Sequence, residues 1–206
     1  MTATLWTCDA PLLLASTSRT RRALLESAGL AVDTEAPGVD ERAIEAASRG
    51  GGLDPAALAE RLAVEKALAV SRRNPDRIVV GADQVLALGD ESFHKPEDRT
   101  AARRQLMRLV GRTHHLRSAG AVARGGEVVG VFADSATLSM RPLAPEAVDL
   151  YLDLAGPAAL SSVGCYQVEG LGIHLFDTIM GDQATILGLP LRPLLAVLRQ
   201  IGCLAL

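Results

Sequence analysis

Aromatic side chains are scarce in this 206-residue sequence: one Trp, two Tyr and three Phe make up 3% of it. That scarcity argues against a surface that stacks successive bases of a single strand, while leaving binding of one nucleotide open. Cysteine is limited to Cys8, Cys165 and Cys203, without CxxC spacing or a paired framework, so a reducing compartment is expected. No uncharged apolar run reaches membrane-spanning length, and the N-terminus lacks a basic region followed by an apolar stretch and cleavage site. A soluble, cytoplasmic protein with no membrane partner is the expectation. An excess of one charge sign is missing too: 21 basic and 24 acidic residues leave a net charge of -3, so no general affinity for a nucleic-acid polymer is implied.

Lysine is rare among the basic residues, at Lys66 and Lys95 only. A compact ammonium and a planar guanidinium are not equivalent, so these two positions are candidates for phosphate contact, set against simple composition noise. The remaining composition is that of a folded chain, 49% apolar and 22% charged. At this length a compact fold buries roughly 70% of the surface its extended chain exposes, so no disulfide or metal staple is needed. A single domain over 1–206, or two small lobes around a cleft, is expected.

Leu12 to Leu14 read as a strand, Ser16-Thr17-Ser18 as a polar turn, and Ser18 as the cap of a helix ended by Gly29. The basic first turn of that helix suits an anion or, on the plainer reading, solvent. Ala31 to Val39 reads as extended, and Gly50 to Gly52 separate it from a helix capped by Asp54 with Pro55 at its first position. Ile78 to Val80 and Val85 to Leu88 are apolar runs on either side of Gly81-Ala82-Asp83-Gln84. An acid placed there needs a cation, a metal or a cleft to offset its desolvation.

A helix is expected from Asp98 to Leu109. Strands follow at Leu116 to Ala123, Val128 to Phe132 and Asp134 to Met140, with Gly125-Gly126 as a hairpin turn. Pro145 opens a helix to about Leu154, Ile173 to Ile179 read as a strand, and a last helix follows Leu191. Charge is uneven: 95–125 carry eight basic and two acidic residues, whereas 126–191 carry one and eight. His114 and His115 are adjacent and would face opposite sides of a strand, which makes them a poor metal pair.

Taken from residue types alone, Arg21, Glu41, Lys66, Asp83 and Lys95 form the best chemical set. Cations can neutralise a triphosphate, while two carboxylates can hold a divalent ion or orient water. No phosphate-loop or dinucleotide-binding pattern occurs, and Cys165 has no recognisable catalytic histidine partner.

Several segments then occur in a telling order: Leu14-Ala15-Ser16-Thr17-Ser18 with Arg21, Val39-Asp40-Glu41, Ala63-Val64-Glu65-Lys66-Ala67, Gly81-Ala82-Asp83-Gln84-Val85, Lys95-Pro96, Gly111-Arg112-Thr113-His114 and Gly188-Leu189-Pro190-Leu191. In this order they resemble the Maf family of nucleoside triphosphate pyrophosphatases, from Leu12 to about Leu198. The resemblance implies an elongated α/β molecule of the Maf and inosine-triphosphatase type, with a mixed sheet, flanking helices and a central cleft. It implies hydrolysis of a nucleoside triphosphate to monophosphate and pyrophosphate with a divalent cation, Mg2+ or Mn2+. Asp83 matches the catalytic proton acceptor; Glu41 and Asp83 would hold the metal; Arg21, Lys66 and Lys95 would bind phosphate. A homodimer remains open as the one protein partner.

Gln84 and Glu169 resemble the 7-methyl-GTP subgroup, where the dTTP and UTP subgroup has Thr and Gln. Glu169 would accept from the guanine N1 and N2 donors. Two positions depart from the family patterns: Arg19-Thr20-Arg21 stands where the 7-methyl-GTP subgroup has Pro-Trp before its arginine, and Ser161-Ser162 stands where the pyrimidine subgroup has Asp-Lys. Thr20 offers no stacking surface, so Tyr166 is the candidate substitute. The alternatives are a pyrophosphatase acting on dTTP, UTP or other noncanonical nucleotides, and a nucleotide-binding regulatory protein without significant turnover.

Overall fold

The computed structural model describes residues 5–50 and 54–206. Of the glycine-rich interval, positions 51 and 52 therefore lie outside the described residues, and Gly50 ends a helix. The fold is mixed α/β, with a seven-stranded sheet ordered β2-β1-β3-β5-β6-β7 and β4 attached to β3. Its elements in chain order are β1 (Leu12–Leu14), α1 (Arg19–Ser27), β2 (Val32–Thr34), α2 (Glu41–Gly50), α3 (Pro55–Arg73), β3 (Val79–Leu88) and β4 (Glu91–Phe93). They continue with α4 (Arg99–Leu109), β5 (Thr113–Arg124), β6 (Glu127–Met140), α5 (Pro145–Ala155), β7 (Phe176–Met180), α6 (Gln183–Ile186) and α7 (Leu191–Gln200). β1 pairs in parallel with β2 and β3, whereas β4 and β7 pair antiparallel to β3 and β6.

The chain divides into two compact units. The first comprises Met1–Gln84, Ser118–Asp134 and Asp182–Leu206, and the second Val85–Arg117 and Ser135–Gly181. In the first, period-two alternation sends neighbouring residues to opposite faces of the sheet. Leu12, Leu14, Val80 and Ala82 join Leu194 and Leu198 of α7 in one core cluster, while Leu13, Ala15 and Val79 meet Val70 of α3 in another. Both faces are covered, which explains why these strands read as unbroken apolar runs rather than alternating ones. In the second, α4 and α5 are linked by Arg103 and Asp149, whose two hydrogen bonds measure 2.7 and 3.1 Å.

Local signals set the helix starts. The Ser18 hydroxyl accepts from Arg21 N, the Asp54 carboxylate from Ala56 and Ala57 N, and the Asp98 carboxylate from Ala101 N. Gly125 and Gly126 turn the chain at φ 62° and 80°, a left-handed pair that suits a two-residue hairpin.

The structure differs from the sequence reading at several places. Asp40 caps a helix over Glu41–Gly50, where no helix is expected: its carboxylate accepts from Ala43 N at 3.0 Å. β3 runs unbroken through Gly81–Gln84, with Gly81, which lacks a Cβ, admitting the backbone of α3 against the strand. β6 likewise continues from Glu127 to Met140 as one strand. The expected strand at 173–179 begins only at Phe176. Leu171–Leu175 coil as a 3-10 helix, started where Gly172 N donates to Gln167 O at 3.0 Å, and a Cβ at Gly172 would lie 2.5 Å from that oxygen.

Candidate active site

The site in the first unit is set by the contact of α3 with β3. Gly81 and Asp83 are two residues apart on β3 and so share a face. A Cβ on Gly81 would lie 2.3 Å from Ala63 O and 2.5 Å from Ala67 N, so the backbone of α3 rests directly on the strand. Lys66, within that stretch of helix, is thereby brought to Asp83. Its Nζ donates to Asp83 Oδ1 at 2.5 Å and pairs with Glu41 Oε1 at 2.8 Å. Lys66 and Asp83 are 6% and 8% exposed, whereas the Glu41 side chain retains 49% of its exposure. The cluster is thus a buried ammonium between one buried and one accessible carboxylate. Charges this dry persist only when paired.

Arg21 completes the group from α1. Its Nε donates to Gly188 O at 2.8 Å and its Nη1 to Ala82 O at 2.9 Å. Burial lowers the guanidinium's pKa, and the nearby charges of Asp83 and Glu41 oppose that shift. Two backbone carbonyls therefore hold a cation beside the carboxylates without neutralising it. The Ser18 cap and the Ser16 hydroxyl, which accepts from Ser18 N at 3.1 Å, fix the turn that starts α1.

Gln84 faces away from this cluster, as the next residue on a strand must. Its Nε2 lies 2.9 Å from Ser118 Oγ and 3.0 Å from both Thr185 O and Ile186 O. Ser118 Oγ also donates to Thr185 O at 2.8 Å, and Thr185 Oγ1 to Asp134 Oδ2 at 2.8 Å. This network holds α6, and α6 leads to the Gly188 carbonyl that anchors Arg21. Residues 118, 134 and 185 were not foreseen as part of the site. A serine inside the apolar stretch 116–123 was the one available hint.

The first unit therefore gathers Arg21, Glu41, Lys66, Asp83 and Gln84, with Thr20 half-buried in the first turn of α1. Lys95 and Glu169 belong to the second unit, where both are exposed and neither forms an ion pair among the described residues. The suggested stacking role of Tyr166 is overturned. Its ring is 5% exposed, its hydroxyl is 2.7 Å from His114 Nε2, and it packs edge-on against Phe176 at 4.8 Å. Tyr166 is a core residue of the second unit, with no free face for a base.

Among the described residues no cluster of three or more His, Cys, Asp or Glu side chains gathers. Glu41 and Asp83 are hard oxygen donors, which fits a Mg2+-like ion that takes the rest of its coordination from substrate phosphate and water rather than from a protein cage. Burial leaves Cys165 inert, with its thiol pushed up to about 12. Among the described residues no helix is long and apolar enough to cross a membrane.

Residues 11–201 match the family described as Maf-like protein. A nucleoside triphosphate pyrophosphatase of Rhodopseudomonas palustris (strain BisB18) is 52% identical over 202 residues, covering 98% of this chain and 99% of its own. A 7-methyl-GTP pyrophosphatase of Brucella abortus biovar 1 (strain 9-941) is 49% identical over 193 residues, covering 94% and 97%. A solved dITP/XTP pyrophosphatase of Mycobacterium abscessus aligns with a TM-score of 0.41 at 21% identity over 64% of this chain and 74% of its own, a likeness too slight to carry weight.

Proposed function

This chain belongs to the Maf-like protein family, and on that premise we propose that it hydrolyses a nucleoside triphosphate to the monophosphate and pyrophosphate, with 7-methyl-GTP as the preferred substrate. The observation that carries the reading is the buried Lys66 ammonium 2.5 Å from Asp83 and 2.8 Å from Glu41, with Arg21 held alongside by Gly188 and Ala82. Two cations set beside two carboxylates suit a polyphosphate that must be both bound and attacked.

Asp83 accepts the proton of the attacking water, and Glu41 with Asp83 supplies the donors for Mg2+ or Mn2+. When bound, that ion neutralises phosphate oxygens as a Lewis acid. Arg21 and Lys66 take phosphate oxygens and offset the charge that develops as the bond breaks, and Lys95 is assigned the same task. Lys66 also orients the Asp83 carboxylate through its hydrogen bond, which leaves the second oxygen of Asp83 for water.

Gln84 and Glu169 support a methylated guanine. An exposed, unpaired carboxylate at Glu169 accepts from guanine N1 and N2 and favours the positive charge of the methylated ring. Gln84 spends its amide hydrogens on Ser118 and the α6 carbonyls, and its Oε1 has no protein partner among the described residues. Thr20, which brings no aromatic surface, favours the second reading, a pyrophosphatase acting on dTTP or UTP. A panel containing 7-methyl-GTP, GTP, UTP and dTTP, with monophosphate and pyrophosphate both quantified, tests the two readings. Higher kcat/KM for 7-methyl-GTP supports the first, and higher kcat/KM for UTP or dTTP replaces it with the second.

A further inference from the structure

Cys8 and Cys203 are 195 positions apart in sequence, yet the Cys8 thiol donates to Cys203 Sγ at 2.9 Å. The backbone holds them there. Trp6 and Leu204 form an antiparallel bridge, Thr7 N donates to Cys203 O at 3.1 Å, Thr7 Oγ1 to Gly202 O at 2.7 Å, and Ala205 N to Leu5 O at 3.0 Å. Cys203 N in turn donates to Leu198 O at 2.9 Å, which ties this strand-like pair to the end of α7. Both cysteines are free thiols; Cys203 is buried at 3% exposure, while Cys8 is only partly covered. Cys8 is the more accessible of the two and Cys203, in hydrogen-bond contact with it, is the buried one, which suits Cys8 as the cysteine that is attacked and Cys203 as the one that resolves it.

We propose that Cys8 and Cys203 form an intramolecular disulfide when the protein meets hydrogen peroxide, locking the 5–8 segment onto the 202–205 segment. The Cys8 thiolate, its proton given to solvent, attacks one peroxide oxygen; the O–O bond breaks, and the departing hydroxide takes up a proton to become water. Cys8 then carries a sulfenic acid. The Cys203 sulfur attacks the Cys8 sulfur, the S–S bond forms as the S–OH bond breaks, and the hydroxide leaves with the Cys203 proton as a second water. The two sulfurs lose two electrons and the peroxide gains them. The three hydrogen bonds between the two segments keep them in register throughout, so little rearrangement is needed to bring the sulfurs to bonding distance. Cross-linking positions so far apart removes loop-closure freedom from the unfolded chain, which raises the temperature of unfolding.

The test uses the full chain, treated with hydrogen peroxide and then unfolded in the presence of a thiol alkylator. The expected protein is two hydrogens lighter before alkylation, accepts one alkyl group at Cys165, and yields a linked peptide pair containing Cys8 and Cys203. Its Tm rises by several degrees over the reduced form, and dithiothreitol reverses both changes. Cys8→Ala, at a partly exposed position, should abolish the linked pair and the Tm shift. Three alkylated thiols after peroxide, a link through Cys165, a link between two copies of the chain, or separate over-oxidation of Cys8 without a link would each overturn the proposal. None of these readouts depends on nucleotide turnover.

Discussion

Lys66 Nζ lies 2.5 Å from Asp83 Oδ1, and both side chains are nearly excluded from solvent. Each is the other's solvation, with Glu41 as a second, half-exposed partner of the lysine. Removing either side of the pair is therefore unequal. Lys66→Met strands a buried carboxylate and should cost about 3 kcal/mol of stability in urea unfolding. Asp83→Asn keeps an oxygen acceptor and leaves Glu41 on the lysine, so it should cost distinctly less while lowering turnover by about 10²-fold or more. Equal stability losses would contradict the pairing, and near-wild-type turnover of Asp83→Asn would remove it from the chemistry.

Gly81 is where α3 touches β3. Gly81→Ala places a methyl 2.3 Å from Ala63 O, which a strand and a helix can accommodate only by moving apart. A destabilisation of about 1–3 kcal/mol is expected, together with a fall in kcat, because Lys66 moves with the helix. Unchanged unfolding and kinetics would mean that this contact does not position the lysine.

In the second unit, burial above all, with a smaller contribution from His115, depresses the His114 pKa from 6.5 to about 4. Its Nε2 meets the Tyr166 hydroxyl, while its Nδ1 has no hydrogen-bond partner among the described residues. The unfolded chain binds a proton near pH 6.5 and the folded chain does not until about pH 4. Stability is therefore full above pH 6.5 and declines as pH falls toward 4, by about 3 kcal/mol for this group. The His114→Gln variant should show a flatter dependence in urea titrations from pH 7 to 4. An unchanged slope would assign the acid sensitivity elsewhere.

The helix starts were legible because capping is local: Ser18, Asp54 and Asp98 each sit immediately before the turn they close. Asp83, Lys66, Glu41 and Arg21 stand out in the sequence as a candidate set through residue type and motif order. Their convergence was not. Arg21 reaches Gly188 across 167 positions and Ala82 across 61, and nothing local marks a carbonyl as the partner of a distant guanidinium. The same holds for Ser118, Thr185 and Asp134, ordinary polar residues that matter only because Gln84 and α6 meet there. Tyr166 is the candidate stacking residue in sequence only because Thr20 offers no ring, and nothing local shows that His114 and Phe176 enclose it.

The proposed base preference assigns Glu169 the contact with the base. Glu169→Gln should reduce kcat/KM for 7-methyl-GTP more than for UTP, by a factor corresponding to roughly 1–3 kcal/mol. The Thr20→Trp variant should shift preference further toward the methylated base by adding a stacking face. Equal effects on both nucleotides would leave Glu169 without a part in base choice.

The most direct measurement is phosphorus NMR of the wild-type protein turning over a nucleoside triphosphate with Mg2+. The expected spectrum shows pyrophosphate and nucleoside monophosphate rising together in equal amounts, with both signals lost in folded Asp83→Asn. Nucleoside diphosphate and inorganic phosphate as the products, or no turnover of any triphosphate in the panel, would contradict the account.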